Sequence, residues 1–271
     1  MTPSLDSAKL PTEDIYDHGQ GPAVVFSHGT LLDRTMFAPQ VEALSDRYRT
    51  IAYTSRAGTL RFGTERSIED LVDDCLAVVD GARIDRVVLV GMSVGGFMAI
   101  DFALRYPDRV AGLVLMSTQA DAYTDSEHTQ FGSLLKPLDC EGSIPESVVD
   151  AFKPVIFGER ALGSAPGLVT RWCDKWRQRP ARSLYGEYRS WIDKPDRLSD
   201  LRQITVPTLI IHGEDDNGIS VDRARAMHDR LPNSELAIIA DAGHLVTEEQ
   251  PDAVTDVLAT WLTQQPSWAR S

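Results

Sequence analysis

Short continuous runs of aliphatic residues alternate along the chain with stretches whose apolar positions recur every three to four residues. The runs lie at 23–27, 50–54, 87–91, 113–117, 208–212 and 236–239. An unbroken apolar run, as opposed to an alternating one, marks a strand buried on both faces, as in a parallel sheet covered by helices. The helical stretches fall between the runs. Ser67, with Asp70 three residues on, opens a helix over 67–81 with a near relative of the capping box. Ile68, Leu71, Val72, Cys75, Leu76 and Val79 then share one face, and Gly81 ends it. Further helices are predicted over 94–106, stopped by Pro107, over 221–231 and over 251–262. This alternation predicts an α/β fold, a mostly parallel sheet flanked by helices.

The stretch 118–204 breaks the alternation. It carries Trp172, Trp176 and Trp191, several helical patterns, and prolines at 137, 145, 154, 166, 180 and 195. It reads as an inserted helical cap within a single domain spanning 1–271, whose core comprises 20–117 and 205–265. No internal repeat or low-complexity segment interrupts it.

At 271 residues, 42% hydrophobic and 25% charged, the chain can bury one large core. No run approaches the roughly 20 apolar residues of a membrane helix. The first 17 residues lack the basic and apolar regions of a signal peptide, so a cytoplasmic protein is expected. The formal charge of −13 argues against nucleic acid and anionic membranes as partners. A small neutral or apolar molecule fits better, and a homodimer stays open. Cys75, Cys140 and Cys173 are too scattered for a metal site, and Cys75 falls on the apolar face of its helix.

The sharpest chemical signal is the buried run 87–90 leading into Gly91-Met92-Ser93-Val94-Gly95, with a helix beginning at once. Glycines two before and two after a serine permit a turn so tight that side chains there would collide with neighbouring elements. The hydroxyl is then held at a helix N-terminus, where negative charge is favoured. A serine needs an adjacent base. Of the histidines at 18, 28, 128, 212, 228 and 244, His244 follows the last predicted strand in Ala242-Gly243-His244, at the sheet edge where α/β sites form. The acid that would orient it lies in His212-Gly213-Glu214-Asp215-Asp216-Asn217; Asp216 is preferred and Asp215 competes. Oxyanion donors are expected from the backbone N–H groups of Thr30 and Val94. The Thr30 hydroxyl either adds a donor or caps its loop, and His28 reads as a structural residue of that loop.

His28-Gly29, Gly91 to Gly96, Tyr106-Pro107-Asp108-Arg109-Val110, the segment from Pro207 to Asp216, and Ala242-Gly243-His244 occur in that order. In these motifs the chain resembles the α/β-hydrolase superfamily, in its branch of small esterases, lactonases and cofactor-free haloperoxidase-like perhydrolases. The resemblance runs from about residue 21 to 262, apart from the cap. It implies a triad of Ser93, Asp216 and His244 with an oxyanion hole at Thr30 and Val94. It also implies a carboxylic ester or lactone as substrate, cleaved through an acyl-enzyme. Three departures stand out. Thr54-Ser55-Arg56-Ala57-Gly58-Thr59 lacks an aspartate usual in that loop, the N-terminal segment is short for a pair of leading antiparallel strands, and Ser220 stands near a usual proline.

Residue types narrow the chemistry further. Ser93 stands where the best-known dehalogenases and epoxide hydrolases carry aspartate. Thr30-Leu31-Leu32 replaces the glycine run usual in proline-releasing peptidases, ring-cleavage C–C hydrolases and one esterase subgroup. No cofactor or metal motif is present, so none is expected. Substrate choice is assigned to Leu31, Trp172, Trp176 and Trp191, with Trp172 and Trp176 on one helix face. Phe37 and Phe97 fit the core better. Rival readings are a lactonase specifically, perhydrolysis as a side reaction, a small-ligand receptor, and a lyase on the same scaffold.

Overall fold

A computed structural model describes residues 15–55 and 67–265. Seven strands form one sheet in the order β1-β3-β2-β4-β5-β6-β7. They are β1 (Ile15–His18), β2 (Ala23–Ser27), β3 (Arg49–Tyr53), β4 (Val87–Met92), β5 (Val110–Met116), β6 (Thr208–Gly213) and β7 (Ser234–Ile239). All pairs are parallel except β1 with β3. The predicted runs fall in β2 to β7, of which β7 is an edge strand. β4, β5 and β6 are buried at every position, because helices cover both faces and leave no polar side for alternation to mark.

Helices α1 (Ala38–Leu44), α2 (Ile68–Gly81) and α3 (Val94–Arg105) belong to the first part of the sheet. Helices α4 (Asp125–Leu135), α5 (Glu146–Ile156), α6 (Glu159–Ser164), α7 (Pro166–Gln178) and α8 (Ala181–Trp191) lie between β5 and β6. The chain closes with α9 (Val221–His228), α10 (Val246–Glu249) and α11 (Pro251–Thr263). α2 packs on α3, and α1 on α11. The α2 cap is fully reciprocal: Ser67 N–H donates to Asp70 Oδ2 at 2.9 Å, and Asp70 N–H donates back to Ser67 Oγ at 3.3 Å. An aspartate at the third helical position thus does the work usually given to glutamate.

Several boundaries differ from the pattern, each for a local reason. β5 begins at Val110, three residues early, because Ala111 and Gly112 are too small to register as an apolar run, yet Val110 and Gly112 pair with Val87 and Val88 of β4 across a register shift. α9 stops at His228 where 231 was expected. The N-terminal segment, short for a pair of leading antiparallel strands, supplies one among the described residues: β1, an antiparallel edge strand whose Ile15 to His18 pair with Tyr53 to Thr50. Residues 56–59, where the departure from the family loop falls, lie outside the described residues.

In the stretch between β5 and β6, three of the prolines stand at helix starts, while Pro154 lies inside α5. Pro145 and Pro180 precede α5 and α8, and Pro166 is the first residue of α7. Its interior is aromatic: the Trp191 ring meets those of Tyr123, Phe131 and Tyr188 at 5.3–5.4 Å.

Candidate active site

Ser93 sits between β4 and α3 with φ +52°, a left-handed conformation that costs a non-glycine residue energy. Its neighbours hold it there. Ser93 N–H donates to Met116 O at 2.9 Å, and Thr118 Oγ1 donates to Ser93 O at 2.8 Å. The tightness of the turn is measurable at its glycines. A Cβ on Gly91 would lie 2.2 Å from Gly95 O, and one on Gly95 would lie 2.2 Å from Ser27 O. Both are far inside contact distance, so the two glycines are sterically required.

His244 lies in the loop after β7, and its Nδ1 is 2.8 Å from Asp216 Oδ2 and 3.1 Å from Oδ1. A carboxylate can only accept, so the Nδ1 proton points at Asp216 and Nε2 is the ring atom left for chemistry. Asp215 is exposed, and its N–H donates to Ala242 O at 2.9 Å, so Asp216 alone of the two meets the histidine.

Asp216 is itself tightly held. Its Oδ1 accepts from the N–H groups of Gly218 at 2.8 Å and Ile219 at 2.9 Å. His212 Nε2 stands 3.3 Å from Oδ2 and 2.8 Å from Ile219 O. Burial pushes the Asp216 carboxyl up, but the charge of His244 and hydrogen bonds from His212 and His244 outweigh it, leaving the group well below the ordinary carboxylate range. His212 was read only as part of the acid motif. Its proximity to the acid follows from the four-residue spacing across the end of β6.

Ser93, His244, Thr30 and Val94 line one small cavity of about 40 Å³. Val94 is the first residue of α3, where helix N–H groups have no intrahelical partner. The loop after β2 presses on the serine: a Cβ on Gly29 would come within 2.9 Å of Ser93 Cβ. Thr30 Oγ1 is buried with no hydrogen-bond partner among the described residues, so it does not cap the loop. His28 ties that loop to the end of β3. Its Nε2 accepts from Ser55 N–H at 2.9 Å, and its Nδ1 donates to Gly29 O at 2.8 Å.

The pocket assignments divide. Trp191 lines the cavity, with Tyr123, Phe131 and Phe152, whereas Leu31, Trp172 and Trp176 are not among its lining residues. Trp176 and Glu187 clamp Leu31 instead. Leu31 has φ +65°; its carbonyl accepts from Trp176 Nε1 at 2.9 Å, and its N–H donates to Glu187 Oε2 at 3.4 Å. Glu187 is buried, which pushes its carboxyl up, and it is paired with Arg179 at 3.0 Å. Trp172 Nε1 donates to Glu248 Oε2, which also accepts from Arg171 at 2.8 Å. Glu249 Oε2 accepts from Gly158 N–H and from Gly243 N–H, each at 3.0 Å. Glu187 and Glu249 carry no local sequence signal, because each acts on a loop remote in the chain or shared between two segments.

A family model described as "Alpha/beta hydrolase family" matches residues 24–257. The chain is 30% identical over 256 residues to a 2-hydroxy-6-oxo-2,4-heptadienoate hydrolase of Pseudomonas putida, covering 88% of this chain and 87% of the relative. Among solved structures, a thermophilic esterase from Thermogutta terrifontis with malate bound superposes with a TM-score of 0.86 and 28% identity, covering 92% of both chains. The enol-lactonase from Burkholderia xenovorans LB400 gives a TM-score of 0.83 and 25% identity, over 92% of this chain and 95% of that one. Strand order, serine turn and family match agree, and the chain belongs to the alpha/beta hydrolase family.

Proposed function

We propose that this protein is a serine hydrolase cleaving an uncharged carboxylic ester or lactone through an acyl-enzyme. The observation that carries the reading is a strained Ser93 sharing one cavity with a histidine whose Nδ1 is bonded to a buried carboxylate. His244 Nε2 takes the Ser93 proton as Oγ attacks the scissile carbonyl, and Asp216 stabilises the imidazolium. The N–H groups of Thr30 and Val94 hold the oxyanion. Collapse returns the proton from His244 to the departing alkoxide. Water then attacks the acyl-enzyme with His244 again as base, and Ser93 is regenerated.

The neutral substrate follows from the cavity wall, which carries no Lys, Arg, Asp or Glu among the described residues. The Pseudomonas relative is named for a carboxylate substrate, and a carboxylate would find no countercharge in this cavity. The esterase and enol-lactonase neighbours support the ester and lactone readings.

The test is to treat wild type and Ser93→Ala with a reactive organophosphonate, record intact masses, and assay p-nitrophenyl acetate, p-nitrophenyl butyrate and a lactone panel. One adduct and ester or lactone turnover in wild type, both missing in the variant, are expected. Neither adduct nor turnover in wild type would replace this reading with a ligand receptor or a lyase.

A further inference from the structure

The cavity that holds Ser93 and His244 measures about 40 Å³. A water-sized group takes roughly 10–15 Å³ on the same measure, so the space admits about three non-hydrogen atoms. One side of it is α5. Phe152, Val155 and Ile156 line the cavity at the i, i+3, i+4 spacing that puts side chains on one helix face.

That face is tied to the loops of Asp216 and His244 by main chain. Ile156 is the last residue of α5, where carbonyls lack helical partners, and its oxygen accepts from Leu245 N–H at 3.0 Å. A Cβ on Gly218 would stand 3.1 Å from Val155 O. The α5 wall therefore cannot retreat from His244 without giving up that hydrogen bond. Phe152 lies one turn away from this junction. Elsewhere on the wall the rings of Tyr123, Phe131 and Trp191 meet one another at 5.3–5.5 Å. Among the described residues Phe152 takes no part in those ring contacts, so shortening it leaves both the junction and the aromatic cluster in place.

The two halves of an ester do not make equal demands on this space. Ser93 Oγ bonds to the acyl carbon, and the alcohol departs with the proton from His244. The acyl group alone stays in the cavity until water removes it as the carboxylic acid. An acetyl group has three non-hydrogen atoms and a butyryl group five. Even a five-membered lactone leaves four carbons, the carbonyl oxygen and a hydroxyl on the serine.

We infer that α5 limits the acyl group to acetyl size and that Phe152 sets the limit. The inference rests on the serine-hydrolase reading above and narrows it to acetic esters of uncharged alcohols, against lactones and longer acyl chains.

The test is a series of p-nitrophenyl acetate, butyrate and hexanoate, with γ-butyrolactone. Each kcat/KM is divided by the compound's own hydroxide-catalysed rate, which removes intrinsic reactivity. In wild type, acetate is expected to exceed butyrate by about 10- to 100-fold, because carbons beyond the available space must displace packed side chains. The lactone is expected to fall with butyrate. Phe152→Ala is expected to raise the butyrate-to-acetate ratio by about 10-fold, and Phe152→Leu by about 3-fold.

Butyrate, hexanoate or the lactone level with acetate in wild type overturns the inference. An unchanged ratio in a folded Phe152 variant overturns it equally. If Phe152→Ala does not fold, the milder Phe152→Leu carries the comparison. Labelling of Ser93 separates the two levels of the argument. An adduct and ester turnover with a flat series remove only the acyl limit, whereas no adduct and no turnover remove the hydrolase reading along with it.

Discussion

The loops after β2 and β4 approach so closely that a Cβ on Gly95 would lie 2.2 Å from the Ser27 carbonyl, whereas the helices between β5 and β6 reach the loop after β2, and α10, through long side chains. Trp176 and Glu187 hold Leu31, Lys175 bonds Asp33 at 2.8 Å, and Trp172 and Arg171 meet at Glu248. The sheet edge is therefore set by backbone contact, which admits almost no change. The helical side is set by hydrogen bonds and ion pairs, which can be weakened one at a time. The first kind of construction fixes where Ser93 stands. The second fixes how well the surrounding loop is aimed.

The harshest test of this contrast is Gly95→Ala. No flexible side chain can yield to the new methyl, only the Ser27 and His28 backbone, so loss of folded protein by near-UV circular dichroism is expected. A wild-type melting temperature in that variant would break the comparison. Next is Asp216→Asn, which keeps an oxygen for Gly218 and Ile219 but cannot hold His244 in the same protonation pattern. A fall of roughly 10³–10⁴-fold in kcat on a small ester is expected, with the fold retained. The same variant sharpens an acid limb. Because the Asp216 carboxyl is lowered on folding, its stabilisation is complete above its ordinary value of 3.8 and is lost as pH falls toward the folded value. Wild type should therefore lose more stability than Asp216→Asn between about pH 5 and 2 in denaturant titrations.

On the helical side the effects shrink. Trp176→Phe removes only the indole N–H from Leu31 O and retains a ring to stack on Phe157. About a 3- to 10-fold drop in kcat with little change in KM is expected, because the loop carrying Thr30 is aimed less well while the pocket wall is unchanged. A rise in KM alone would place Trp176 in the pocket after all. The smallest effect concerns Lys194, whose ammonium is lowered to about 8 by burial. The folded state then holds fewer protons than the unfolded state between about pH 8 and the ordinary value of 10.5, so this group makes stability rise across that window. Lys194→Met should remove that rise, read as the difference in melting temperature between pH 8 and pH 10.

Local sterics explain how much could be read before any coordinates. Gly91, Ser93 and Gly95 announce the tight turn because each is required by atoms within a few residues or on an adjacent strand. Asp216 and His244 were found because strands β6 and β7 end beside each other, so residues just beyond parallel neighbours must meet. Asp216 is preferred over Asp215 in the sequence without a steric reason, since their difference is the direction of one peptide, set by the Asp215 N–H bond to Ala242. Glu187 was invisible because its partner Leu31 lies 156 residues away and nothing in the helical pattern distinguishes it from a solvated face. Trp172 and Trp176 shared a face as predicted, but that face turned to hydrogen-bond Glu248 and Leu31, leaving Trp191 to meet the cavity.

Glu249 has a bearing on attempts to re-engineer the protein. One oxygen of this carboxylate joins Gly158, at the start of α6, to Gly243, beside His244, and a Cβ on Gly243 would lie 2.2 Å from Gly158 N. The helical segment and the histidine loop are thus shaped to one another like the halves of a hinge pin. A chimera with crossovers only at the ends of β5 and β6 would import a foreign segment against a native 243–249 and lose that fit. Transplants that carry 243–249 along with the helices preserve the joint, so the recombinable unit is discontinuous in the chain.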